Sequence, residues 1–215
     1  MILFDLTLSF DNGPTADVTP FVLDALARRG IKSTFFVIGE KVALRENRAL
    51  AERARAEGHW IGNHTWSHSQ PFGLMPAEAA NAEFDRTQEA IGPLVHPHRF
   101  FRPYGQGGNL DKRLLSRPSL DHLTQARATI VLWSALPRDW QDPDGWVQRA
   151  LTQLAAQPRS LMVLHDLPTG AMRHLDRFLG LIEERGGRLR QEFPPECTPM
   201  IHGKLVGPID GYLAT

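Results

Sequence analysis

Two histidines four residues apart, His64 and His68, are the side chains best spaced here to share a cation. On one helical turn such a pair points the same way, so both imidazoles reach one metal ion. The spacing equally suits hydrogen-bonded surface histidines, and by itself it leaves both readings open. Asp11 ends an apolar segment and is the candidate general base; as a turn residue it would instead cap a helix starting near Asp17. His165 follows Leu161-Met162-Val163-Leu164 and, standing alone, reads as a satisfied histidine at a strand end. Asp139-Trp140 reads by itself as a loop with an aromatic packing anchor, and Asn12-Gly13 is also an ordinary turn dipeptide.

Chemistry from these positions needs strands that stop just before them. Leu3 to Phe10 alternates apolar and polar side chains and ends at Asp11-Asn12-Gly13-Pro14, a strand and its turn. Thr19-Pro20 offers a cap and a first-turn proline for a helix that runs to Gly30. Lys32 to Ile38 reads as a second strand, and an Ala/Arg/Glu-rich helix spans Lys41 to Glu57. His59 to Asn63 is a short strand whose loop carries His64 to Pro71, and Pro76 to Ile91 is a helix. Phe100-Phe101 leads into Arg102-Pro103-Tyr104 and the glycine-rich run Gly105 to Gly108. Ala128 to Trp133 and Leu161 to Leu164 are apolar strands; Gly145 to Ala156 and His174 to Arg185 are helices. Alternating strands and helices, with several strands apolar throughout, imply a parallel sheet covered by helices. The carboxyl ends of such strands form the face that carries chemistry, and Asp11-Asn12, His64 and His68, Arg102 to Tyr104, Asp139 and His165 all fall there. One domain over residues 1–215 is the simplest organisation, with an irregular tail over 193–215.

Composition removes several classes of function. The 215 residues are 42% hydrophobic and 22% charged, an ordinary globular balance. Twenty-four basic and 24 acidic side chains give no net charge, so the broad electrostatic footprint of a nucleic-acid binder is missing. Cys197 is the only cysteine and excludes an internal disulfide. No apolar run reaches the ~18 to 20 residues of a membrane span, and Met1 to Asp5 lacks the charged and apolar regions of a signal peptide. The expectation is a cytoplasmic protein without membrane or nucleic-acid partners; oligomeric state is left open.

Taken in order, the segments resemble the polysaccharide deacetylase family, carbohydrate esterase family four, also called the NodB-homology domain. Ser9-Phe10-Asp11-Asn12-Gly13-Pro14 is similar to its T-F-D-D-G-P motif, and Ser33 to Gly39 to its A-T-F-F-V-x-G strand. Gly62-Asn63-His64-Thr65-Trp66-Ser67-His68 matches G-N-H-[ST]-x-x-H, while Leu132 to Trp140 and Leu161 to His165 resemble the fourth and fifth motifs. The resemblance implies a distorted (β/α) barrel with about seven parallel strands, and a metal-dependent hydrolase that removes N-acetyl groups from an amino sugar or polysaccharide. His64, His68 and position 12 would hold a divalent cation, zinc first, with cobalt, nickel and manganese as other candidates. Asp11 would take the proton of water, Arg102 would hold that carboxylate ionised, and the Tyr104 N–H would receive the oxyanion. His165 would protonate the leaving amine, with Asp139 raising its pKa; Trp140, Leu164 and Pro103 would line the substrate pocket.

Three departures bear on that activity. Asn12 replaces the family's ligand aspartate and brings no negative charge to the cation, so affinity should fall. The outcomes left open are a weakly metallated enzyme, an altered metal preference, a hydrolase of another linear or cyclic amide with little metal dependence, or a non-catalytic carbohydrate-binding relative. Arg102-Pro103-Tyr104 is one residue shorter than the family's R-x-P-Y, so Arg102 either still reaches Asp11 or the tether is lost. Leu136 stands where an aspartate is frequent, leaving Asp139 as the carboxylate near that strand end.

Overall fold

Strand β1 (Phe4–Asp11) sends alternate side chains to opposite sides, and that parity organises the molecule. In this computed structural model, which describes residues 4–214, Leu6, Leu8 and Phe10 face outward under the helices, while Ser9 and Asp11 turn into the ring of strands. Leu3, the first residue of the expected strand, and Thr215, the end of the expected tail, lie outside the described residues. Helix α1 (Thr19–Arg28) starts with Pro20 in its first turn and buries Val22, Leu23, Ala25 and Leu26. The fully buried β2 (Thr34–Val37) follows.

The helix expected over 41–57 is two helices, α2 (Gly39–Val42) and α3 (Arg45–Ala56), because Leu44 leaves the helical region at ψ 132°. Packing requires the break. Val42 and Ala51 are both buried, yet nine residues apart they would lie about half a turn out of phase on a straight helix. Next come β3 (Trp60–Asn63), α4 (Ala77–Ile91) and β4 (Phe100–Phe101). A helix absent from the sequence reading, α5 (Arg117–Gln125), opens with reciprocal Ser116 and Ser119 capping bonds. Serine stands where a capping box normally shows Glu or Gln, so the pattern gave no signal.

The strand expected over 128–133 shortens to β5 (Thr129–Ile130). Beyond it the Val131 N–H still donates to the Phe101 carbonyl of β4 at 2.8 Å, but the polar groups that follow are taken elsewhere. The carbonyls of Val131 and Leu132 accept from the Arg102 guanidinium at 3.2 Å each, and the Leu132 N–H donates to the Cys197 carbonyl at 2.7 Å. The remaining elements are α6 (Trp146–Ala155), β6 (Arg159–His165), α7 (Leu175–Glu184), β7 (Gly187–Arg190), β8 (Met200–Ile201) and β9 (Lys204–Leu205).

Strand order is β6-β1-β2-β3-β4-β5-β8-β9, with β7 paired to the first half of β1; β1 to β7 pair in parallel. A parallel bridge between Ala135 and Met162 links the chain after β5 back to β6 and closes the ring. This is the distorted (β/α) barrel that the family resemblance implied. The tail differs from expectation: it forms the antiparallel β8–β9 hairpin against β5 and buries Cys197, Met200, Ile209 and Leu213. Two-residue strands carry no periodicity from which they could have been read. Inside the ring, Phe36, Phe100, Val131, Leu161 and Cys197 pack below the strand ends and give the polar residues above them an apolar floor. No helix among the described residues is long and apolar enough to cross a membrane.

Candidate active site

Asp11 and His165 are register partners on the adjacent strands β1 and β6, so the parallel ladder itself sets the two candidate proton carriers side by side. Arg102 leaves the end of β4 and is completely buried. Its Nη1 donates to Asp11 Oδ1 and to Ser9 Oγ, each at 2.7 Å, and its guanidinium carbon lies 4.0 Å from the centre of the Phe36 ring. The shortened third motif therefore still aims Arg102 at Asp11. Four hydrogen bonds and an aromatic face hold the buried cation in one orientation, which fixes one carboxylate oxygen and leaves Oδ2 for other work.

His64 follows β3. Its Nδ1 lies 2.8 Å from the Arg102 carbonyl, which can only accept, so Nδ1 carries the proton and Nε2 holds a lone pair. That Nε2 is 3.6 Å from Asp11 Oδ2. Burial, the largest influence, pushes the His64 pKa down to about 3, so the contact joins a carboxylate to a neutral ring rather than two ions. Burial and the neighbouring His64 take His68 down to about 2. Both rings are thus neutral bases at pH 7, the form that ligates metals.

The two rings meet with centroids 4.7 Å apart, although no helical turn places them so. Left-handed backbone at Thr65 (φ 68°) and His68 (φ 54°) folds the loop back on itself. The Thr65 N–H donates to Asn63 Oδ1 at 2.9 Å, and the His68 N–H donates to Thr65 Oγ1 at 3.1 Å. Tyr104 packs on His68 at 3.9 Å between ring centroids.

At the base of the first turn Asn12 is also left-handed, φ 73°. Its Oδ1 is buried and has no hydrogen-bond partner among the described residues. An orphaned amide oxygen costs roughly 1–3 kcal/mol when buried, so the position suits a ligand that would satisfy it. Among the described residues, no group of three or more His, Cys, Asp or Glu side chains could by itself hold a metal ion. Two neutral imidazoles with the Asn12 amide oxygen make up a three-donor set in one cleft, and these donor types fit a divalent cation.

Opposite them Asp139 is fully buried. Its Oδ1 accepts from His165 Nδ1 and its Oδ2 from the His165 N–H, both at 2.9 Å, while Trp140 stands edge-on to the imidazole at 4.6 Å. Nε2 is left to face the cleft. Burial opposes the charge of His165, but the hydrogen bond and charge of Asp139, with further attraction from Asp11 and Asp166, outweigh it and raise the pKa above 6.5. His165 keeps its proton above the pH at which a free histidine loses it, and Asp139→Asn should lower its midpoint toward or below 6.5, as read from the ring signals in an NMR pH titration. A midpoint unchanged in Asp139→Asn contradicts this pairing.

The cleft encloses about 220 Å³. Besides Asp11, Asn12, His64, His68, Tyr104 and His165, its walls include Trp133, Leu136, Trp140, Val163 and Leu167. Two of the expected pocket residues lie elsewhere. Leu164 is one position out of phase with His165 on β6, so it points outward into the core with Leu8 and Phe10, and Val163 takes its place in the wall. Pro103 is buried behind the cleft and does not line it. Stepping two residues back from His165 would have identified Val163; the wall positions of Trp133 and Leu167 had no comparable signal. Gly108 (φ 78°) lets the loop approach Leu136, since a Cβ there would fall 2.1 Å from Leu136 Cδ2.

Comparison with known proteins agrees with this fold. Residues 5–117 match the model of the polysaccharide deacetylase family. The chain is 34% identical to a chitooligosaccharide deacetylase of Bradyrhizobium sp. over 77% of its own length and 73% of that protein's. It is 30% identical to the peptidoglycan-N-acetylglucosamine deacetylase PgdA of Listeria monocytogenes over 84% of its length, but spans only 36% of that relative. Among solved structures, a family 4 acetyl xylan esterase from Clostridium thermocellum in complex with a cobalt ion superposes with a TM-score of 0.70 at 26% identity, covering 87% of each chain. Matching motifs, a shared fold and similarity over most of the chain give one conclusion: the protein belongs to the polysaccharide deacetylase family, the NodB-homology carbohydrate esterases of family 4.

Proposed function

We propose that this protein hydrolyses the acetamido group of an N-acetylated amino sugar or its oligomer, releasing acetate and a free amine. The observation that carries the reading is the meeting of Asp11 and His165 on adjacent strands in the cleft that holds His64 and His68. Amide hydrolysis needs a base for the attacking water and an acid for the departing nitrogen, and this pair supplies both. Asp11 Oδ2 accepts the proton of water while Arg102 keeps Oδ1 occupied and the carboxylate oriented. His165, protonated and steadied by Asp139, donates from Nε2 to the nitrogen as the C–N bond breaks. Trp133, Trp140, Leu136 and Val163 surround the acetyl methyl and exclude bulk water, which strengthens every charge interaction inside. The backbone N–H of Tyr104 stands as the donor to the developing oxyanion.

His64, His68 and Asn12 are the residues that would hold a divalent cation, with zinc, cobalt, nickel and manganese the candidates. When bound, such an ion supplies Lewis-acid polarisation of the carbonyl and of water. The names of the rhizobial and listerial relatives point to chitin-type and peptidoglycan amino sugars as the substrate class. The test is acetate release from chitooligosaccharides by chelator-treated protein resupplied with each metal in turn. Release restored by metal supports the reading; folded protein that releases no acetate under any of these conditions overturns it.

Asn12→Asp gives a sharper measurement. It would replace a neutral donor by a charged one beside two neutral imidazoles, and metal affinity should rise at least about tenfold, ~1.4 kcal/mol, by calorimetric titration. Unchanged affinity removes Asn12 from the metal site.

A further inference from the structure

Asp166 follows the candidate acid directly on the chain, and the chemistry above leaves it unused. Its side chain is fully buried. Oδ2 accepts from Thr19 Oγ1 at 2.5 Å, and the Asp166 carbonyl accepts from Thr15 Oγ1 at 2.6 Å. Thr19 Oγ1 in turn accepts from the Thr15 N–H at 2.8 Å, so Thr15, Thr19 and Asp166 form one closed network. The carboxyl also presses on the turn from below: a Cβ at Gly13 would fall 2.1 Å from Oδ2 and 2.3 Å from Oδ1. Oδ1 is buried without a hydrogen-bond partner among the described residues.

The other side of the same turn is anchored as firmly. Lys41 Nζ donates to the Asn12 carbonyl at 2.6 Å, and the Ile38 N–H donates to the Gly13 carbonyl at 3.0 Å. The left-handed Asn12 is therefore held between α2 and Asp166. Burial, opposed by Thr19 and by the charge of Lys41, raises Asp166 to about 6, and burial lowers Lys41. A buried carboxyl with one unpartnered oxygen is an expensive way to pack a turn; an apolar side chain of similar size would avoid the desolvation but would release both threonines.

We propose that Asp166 is a positioning residue that clamps the turn bearing Asp11 and Asn12 to the strand bearing His165, fixing the separation of base, metal donor and acid. The inference rests on the deacetylase reading for its kinetic consequence, though the clamp itself can be measured without it. A base displaced by about 1 Å commonly costs on the order of 10²-fold in rate. Asp166→Ala should lower kcat for acetate release roughly 10- to 100-fold with KM within about twofold. Asp166→Asn keeps an acceptor for Thr19 and should restore kcat to within about threefold of the parent protein. Thr19→Val removes the same bond from the opposite side and should reproduce the loss, and the double variant Asp166→Ala/Thr19→Val should be little worse than either single one.

Hydrogen–deuterium exchange provides the second arm: residues 12–19 should exchange faster in Asp166→Ala than in the parent, with β3 unchanged. The clamp is overturned if Asp166→Ala and Thr19→Val, assayed per folded molecule, keep kcat within twofold, or if exchange over 12–19 does not change. Failure of the parent protein to release acetate would overturn the deacetylase reading alone, because the exchange comparison still decides the clamp.

Discussion

Asp11→Asn should lower kcat for acetate release by ~10²- to 10⁴-fold, the range spanned by the loss of a general base. The substitution keeps the shape of the side chain and an oxygen for Arg102 Nη1, but removes the lone-pair basicity of Oδ2 that faces the cleft. KM should move far less, because His64 is held by its Nδ1 bond to the Arg102 carbonyl, and His68 by the Thr65 hydroxyl and its packing on Tyr104. The assay is steady-state acetate release with saturating metal, at a temperature where circular dichroism shows the variant folded. Activity within tenfold of the parent would assign the base to another group.

Arg102→Met should destabilise the fold by about 3–5 kcal/mol, the usual consequence of leaving one member of a buried ion pair alone. The methionine occupies the side-chain space but makes none of the four hydrogen bonds, so Asp11, Ser9 and the carbonyls of Val131 and Leu132 all lose a donor. Urea unfolding measures the loss. In the double variant Arg102→Met/Asp11→Asn the total should be smaller than the sum of the two single losses, because the unpaired charge is gone. A loss in Arg102→Met below about 1 kcal/mol, no more than one ordinary hydrogen bond, would contradict this account of the barrel interior.

Much of the site was legible because a parallel sheet delivers its strand ends to one face. Asp11, Arg102 and His165 each directly follow an apolar run, Asp139 lies six residues beyond one, and all four meet. What stayed hidden has local causes. The resemblance puts Leu164 in the pocket wall, whereas the parity of β6 turns it outward and gives that place to Val163. The histidine pair was expected on a helical turn, whereas left-handed Thr65 and His68 produce the same convergence without one. The reach of Arg102 depends on the carbonyls of Val131 and Leu132, whose diversion from the ladder also shortened β5; a side chain that competes for backbone acceptors leaves no periodic trace. Helix α2 was merged with α3 because Leu44 has no breaker chemistry of its own.

The pairing of Asp11 with His165 across β1 and β6 has an evolutionary corollary. Their spacing belongs to the hydrogen-bond ladder and the buried contacts of the turn that follows β1, not to the rim, so mutation can remodel the glycine-rich stretch from Gly105 to Gly108 or exchange Leu136 without moving either group. Selection for a new sugar can thus act on one part of the molecule while the reaction itself is inherited intact.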